Sequence, residues 1–113
     1  MKILFADDDV SQLEILKKWC KLKGYDGRFA TNGKEVLRVY TEEGFDLAIL
    51  DIDMPEMDGL TTAEELGKLN PQIKVIILTG LMPNRPIPNV VKKVCIKPYS
   101  LMKLNEEILS LAE

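Results

Sequence analysis

Histidine is absent from this chain of 113 residues. That absence excludes Ser-His-Asp and Cys-His triads and any phospho-carrier histidine. Cysteine is scarce. Cys20 and Cys95 lack metal-ligand spacing and sit in apolar stretches, so they read as reduced, mostly buried thiols. No apolar run approaches ~20 residues, so nothing is expected to span a membrane. Ile3-Leu4-Phe5-Ala6 is cut off by Asp7-Asp8-Asp9, too early for a signal peptide. A cytoplasmic setting is the expectation. A basic surplus is lacking too: 15 Lys and Arg against 18 Asp and Glu leave a net charge of −3. Nucleic-acid surfaces need a basic patch, so none is expected here. There is no composition break and no internal repeat.

What remains is ordinary for a soluble globular protein, 46% hydrophobic and 29% charged. At this length folding hides about two-thirds of the unfolded chain's surface, enough for one core without staples. A single domain over residues 1–113 is expected.

The pattern alternates between strands and helices. Lys2 to Ala6 is a short apolar strand. Val10 to Lys23 reads as a helix, with Val10, Leu13, Leu16 and Cys20 at helical spacing, Asp9 as N-cap and Gly24 as stop. Tyr25 to Ala30 is a weaker strand. Asn32-Gly33 could open a hairpin. However, Val36, Leu37 and Tyr40 share a helical face, and Glu35 stands three after Asn32 as in a capping box. A helix to about Glu43, closed by Gly44, follows. Leu47-Ala48-Ile49-Leu50 is an apolar run that stops on Asp51, the mark of a buried parallel strand. A helix runs from about Asp58 to Leu69, stopped by Asn70-Pro71. Ile73 to Leu78 is the most apolar strand and ends on Thr79-Gly80. Leu81 to Asn89 holds Pro83, Pro86 and Pro88 and cannot be a regular helix. Val90 or Val91 to Ile96 is the last strand, and Ser100 caps a final helix to about Leu111. Five strands and four clear helices in alternation predict an α/β fold, a parallel sheet covered on both faces.

Four strands stop on groups able to act: Asp7-Asp8, Asp51, Thr79 and Lys97. A parallel sheet brings all its carboxyl ends to one edge, where open α/β sheets place their chemistry. Three carboxylates there repel one another, and a hard divalent cation removes the penalty. Mg²⁺ takes one or two carboxylates and a backbone carbonyl, and keeps positions open for phosphate oxygens. Lys97 and Thr79 add a positive charge and a hydroxyl donor for the same oxygens. The set suits phosphoryl transfer with Asp51 as nucleophile. Each residue also has a plainer role: Asp9 and Asp58 as caps, Asp8 as a cap, Thr79 as a strand end, Lys97 as a solvated cation, Met54 and Met57 as loop packing. The joint occurrence carries the functional reading.

The chain resembles the receiver domain of two-component response regulators. The resemblance covers the whole chain and rests on Ile3-Leu4-Phe5-Ala6-Asp7-Asp8-Asp9, Leu50-Asp51-Ile52-Asp53-Met54-Pro55-Glu56-Met57-Asp58-Gly59, Leu78-Thr79-Gly80 and Ile96-Lys97-Pro98-Tyr99. It implies a flavodoxin-like doubly wound sheet of order 2-1-3-4-5, the order that receivers share with flavodoxin. It implies Asp51 as phospho-acceptor, with Asp7 and Asp8 as the acidic pair. Asp8, Asp51 and the Asp53 backbone carbonyl would be direct Mg²⁺ ligands. Thr79 would move to hold the phosphoryl group, Lys97 would pair with it, and Lys97-Pro98 would be cis. The donor would be a histidine kinase or a histidine phosphotransfer protein, and the output a contact with a protein target the residues do not name. Such a domain catalyses only its own phosphorylation and dephosphorylation.

Two departures stand out. Receivers usually carry an aromatic residue three before the lysine, and here it is Val94, which has no ring to swing. Tyr99 lies on the other side of Lys97 and does not replace it. The fourth crossover is short and proline-rich, so the fourth helix is expected to be short, one or two turns at most near Asn89 to Lys93, or replaced by a proline-rich loop. Two other readings compete. Asp51-Ile52-Asp53 resembles the first motif of haloacid-dehalogenase-type phosphatases, but that motif normally lies on the first strand. A receiver-like interaction module that needs no phosphate is the other.

Overall fold

The computed structural model describes residues 1–112. The order is β1 (Lys2–Ala6), α1 (Val10–Lys23), β2 (Asp26–Ala30), α2 (Gly33–Glu43), β3 (Leu47–Asp51), α3 (Gly59–Leu69), β4 (Lys74–Thr79), β5 (Val91–Ile96) and α4 (Leu101–Leu111). All four pairings are parallel, as the alternation predicts, and the sheet order is β2-β1-β3-β4-β5, as the resemblance implies. Alternation along the central strands divides the apolar residues between two cores. Leu4, Ala48, Leu50, Val75 and Ile77 face Val36 of α2 and Leu60, Ala63 and Leu66 of α3. Ile3, Phe5, Ile49, Ile76 and Leu78 face Leu13, Leu16 and Trp19 of α1 and Leu104 and Ile108 of α4. Because β3 is buried along its whole length, it reads as a continuous apolar run rather than an alternating one.

Local signals set the helix starts. Asp9, Asn32, Asp58 and Ser100 each cap a helix, accepting from the N–H of Ser11, Glu35, Thr61 and Lys103 respectively. The capping box at α2 is half changed: Glu35 Oε1 accepts from the Thr31 N–H at 3.1 Å, one residue before the cap. Gly24 ends α1 at φ 77°, a left-handed conformation that glycine adopts without a Cβ clash.

One local expectation fails. Val10 shares the spacing of the buried face of α1 but is 59% exposed. It opens the helix at its first position, beyond the rim of the sheet, and Trp19 with Cys20 completes the buried stripe instead. In the crossover from β4 to β5 the fourth helix is replaced by a proline-rich loop, one of the two forms expected, with no helical turn near 89–93. Residues 81–89 form an irregular strap, and Val91 already belongs to β5. Proline removes the backbone donors a helix needs. The strap ends on Val90, which is buried, accepts from the Val75 N–H at 3.0 Å and packs against Gly67 of α3. That seal leaves no room for a helix on the first core. β5 is an exposed edge strand, tied to α4 by Lys93 on Glu107 at 3.5 Å.

Candidate functional site

The parallel strands deliver their last residues to one edge. Ala6 pairs with Leu50, Asp51 with Leu78, and Thr79 with Ile96, so the end of β3 has the end of β1 on one side and those of β4 and then β5 on the other. Asp7, Asp8 and Asp51 each offer a carboxylate oxygen there, all within 4.8 Å of one another. Asp7 and Asp51 are buried and Asp8 is exposed. Lys97 Nζ donates to Asp51 Oδ2 at 3.0 Å, and the Asp53 N–H donates to Asp51 Oδ1 at 3.2 Å. Asp7 Oδ1 accepts from the Asp9 N–H at 2.9 Å. Three carboxylates against one ammonium leave two negative charges in the cluster.

That excess charge perturbs the cluster. Burial raises the Asp7 pKa above its ordinary value, and the charges of Asp51 and Asp8 add to this, outweighing the Asp9 N–H and Lys97. Burial pulls Lys97 down, but the hydrogen bond and charge of Asp51, with Asp7 and Tyr99, more than offset it, and the net shift is upward. Lys97 is therefore a firm cation. The donor set is hard oxygen with a charge deficit of two, which fits a small divalent cation of the Mg²⁺ type.

The raised Asp7 pKa has a stability consequence. A carboxyl whose folded pKa lies above its unfolded 3.8 opposes folding once deprotonated, so the penalty is fully present at neutral pH. Asp7→Asn is expected to raise metal-free stability at pH 7. The gain should fade as pH falls towards about 4, which thermal melts across pH will test.

The cluster lies between two open clefts. One, of about 510 Å³, is lined by Asp7, Asp8, Gln12, Asp51, Lys97 and Tyr99, among others. The other, of about 470 Å³, is lined by Asp8, Asp53 and Asp58 from the metal edge and by Pro83, Asn84 and Arg85 from the strap.

Most of the expected site residues converge. Thr79 is buried at the same edge, but its hydroxyl donates to the Leu81 carbonyl at 2.8 Å rather than pointing to Asp51. The Lys97-Pro98 bond is cis. Asp9 and Asp58 are caps and Met54 is buried in the first core, as their plainer roles require. Val94 is partly buried against the first core, whereas Tyr99 packs on the second, so the two sit on opposite faces of the sheet. Two residues of the clefts, Gln12 and Arg85, carry no signal in the sequence. Gln12 meets Tyr99 in a side-chain hydrogen bond. Arg85 Nη2 donates to Asp58 Oδ1 at 2.6 Å across 27 positions of chain.

A flavodoxin-like parallel sheet with an acid cluster, a lysine and a threonine on its carboxyl edge defines a receiver-type domain. Residues 3–104 match the family description "Response regulator receiver domain", and the chain belongs to that family. The response regulator receiver protein CpdR of Brucella abortus is 35% identical over 112 residues, which cover 95% of this chain and 92% of CpdR. The transcriptional regulatory protein ZraR of Escherichia coli K12 is 42% identical over 78 residues, 69% of this chain but 18% of ZraR, so the chain spans only a small part of that relative. Among solved structures, the response regulator TrrA of Thermotoga maritima, in complex with Mg²⁺-BeF, superposes with a TM-score of 0.87 at 32% identity, covering 97% of each chain. No helix among the described residues is long and apolar enough to cross a membrane.

Proposed function

We propose that this receiver domain accepts a phosphoryl group on Asp51 and signals through protein contacts. The observation that carries the reading is Asp51 itself: a buried carboxylate at a strand end, held by Lys97 on one oxygen and by the Asp53 N–H on the other, within 4.8 Å of two further acids. Asp7, Asp8 and Asp51, with the Asp53 backbone carbonyl, would hold Mg²⁺. That ion, when bound, neutralises charge on the phosphoryl oxygens.

The chain's own residues do the rest. Lys97 and the Asp53 N–H fix the Asp51 carboxylate in one orientation, so attack needs little reorganisation. A carboxylate oxygen of Asp51 bonds to phosphorus while the bond from phosphorus to the donor nitrogen breaks. The donor imidazole keeps the electron pair. Lys97 then faces the new phosphoryl oxygens as a cation already in place. The Thr79 hydroxyl can reach them only by releasing the Leu81 carbonyl. The donor would be a histidine kinase or a histidine phosphotransfer protein, and the target an unnamed protein. The domain would turn over nothing but its own phosphoryl group, in the cytoplasm, as one domain over residues 1–113.

The test is direct. Incubation with acetyl phosphate and Mg²⁺ is expected to add the mass of one phosphoryl group, and EDTA to abolish the gain. An unmodified mass under conditions where Mg²⁺ binding is verified by calorimetry sinks the reading.

A further inference from the structure

The second cleft carries a cation that the chemistry above leaves unused. Arg85 is the one cation among the described residues lining that cleft, against the carboxylates of Asp8, Asp53 and Asp58. Asp8 lines both clefts, so the acid cluster has Lys97 on one side and Arg85 on the other. Prolines hold Arg85 there: Pro83 lines the same cleft, Pro86 follows directly, and the strap is anchored beyond it by buried Val90. A guanidinium has five N–H donors, and the bond to Asp58 uses one. The side chain stays 44% exposed. An ion pair that open to water is weakly held. A dianionic phosphoryl group offers a guanidinium stronger, bidentate bonds. Exchange of Asp58 for phosphate therefore costs little.

We propose that Arg85 is a specificity-determining cation of the phosphotransfer site. It binds non-reacting oxygens of the donor's phosphoryl group as the donor enters the strap-side cleft, in competition with Asp58. Arg85 thus sets how well small dianionic phosphodonors are captured, while Lys97 and Asp51 set how fast they react. The inference rests on the phosphoryl-acceptor reading above.

The rival role is mechanical, with Arg85 merely fastening the strap to the cap of α3. Two exposed substitutions separate the roles because they act in opposite directions. Asp58→Asn keeps the cap, since asparagine caps as well as aspartate, and frees the guanidinium. Arg85→Ala removes it. The rate of phosphorylation is measured against acetyl phosphate concentration at saturating Mg²⁺. Arg85→Ala is expected to raise the half-saturating concentration by about 5-fold, with the limiting rate within about 2-fold. Asp58→Asn is expected to lower it. Movement of both variants in the same direction, or of neither, overturns the proposal. A second readout needs no phosphotransfer. Inorganic phosphate is titrated into metal-free and Mg²⁺-loaded protein while the Arg85 Nε–H signal is followed by NMR. A saturable shift in either form supports the cation role even where the wild type accepts no phosphoryl group. No shift in both forms overturns it.

Discussion

Asp51→Asn is expected to gain no phosphoryl group from acetyl phosphate, with an initial rate at least about 100-fold below the wild type. The substitution is nearly isosteric. It keeps an oxygen for the Asp53 N–H, now 3.2 Å away, but removes the anionic nucleophile and the partner of Lys97. The fold should survive, because losing one of three crowded carboxylates relieves repulsion in the cluster. Asp53→Asn is the informative companion. In a receiver Asp53 contributes its backbone, so its exposed side chain is dispensable and stoichiometric uptake persists. A phosphatase of the haloacid-dehalogenase type needs that side chain as its acid and base. Mass spectrometry after acetyl phosphate treatment, with release of free phosphate measured in parallel, reads both. Undiminished uptake by Asp51→Asn, or many turnovers lost in Asp53→Asn, would remove Asp51 as a simple acceptor.

Gly59→Ala is expected to cost about 3 kcal/mol of stability and to impair phosphorylation together. A Cβ on Gly59 would lie 2.5 Å from the Asp51 carbonyl oxygen and 2.9 Å from the Ile52 Cα. Both are backbone atoms and cannot rotate away. The Gly59 N–H also donates to the Ile52 carbonyl at 3.0 Å, which holds α3 against the end of β3. Relief of the clash must therefore push α3 off the strand that carries Asp51, or shift Asp51 itself. The thermal midpoint should fall by roughly 10–20 °C for a chain of this size. Gly80→Ala is the control, because a Cβ there meets nothing within 4 Å. Equal melts for Gly59→Ala and the wild type would show that the α3–β3 approach is looser than the structure places it.

The two substitutions bear on different levels of the chain's information. Asp51 is legible because the run before it is apolar throughout and stops on an acid, the mark of a buried strand, and three other strands end on groups able to act. The caps at Asp9, Asn32, Asp58 and Ser100 are legible for the same reason: a side chain and an N–H two or three residues on are all that a cap needs. The motif around Asp51 also identified the family, which Lys97-Pro98, following the last strand in the right order, supported.

Other features were decided by the packed molecule. Val10 has the spacing of a core residue, yet exposure depends on where α1 ends relative to the sheet, which spacing cannot express. Chain length and prolines left either a short helix or a loop before β5, and burial of Val90 against Gly67 selects the loop. The Thr79 hydroxyl sits on the Leu81 carbonyl and Arg85 on Asp58 because the strap follows one path over the sheet edge. The sequence by itself determined the elements, their parallel pairing and the placing of Asp7, Asp8, Asp51, Thr79 and Lys97 at one edge, which follow from short-range periodicity and from the rule that parallel strands share a carboxyl edge. The strand order came from the family resemblance. Only the tertiary structure decided the path of the strap and the second cation it brings to the site. A loop without periodicity is positioned by contacts with residues far away in the chain, and these exist only once the chain has packed.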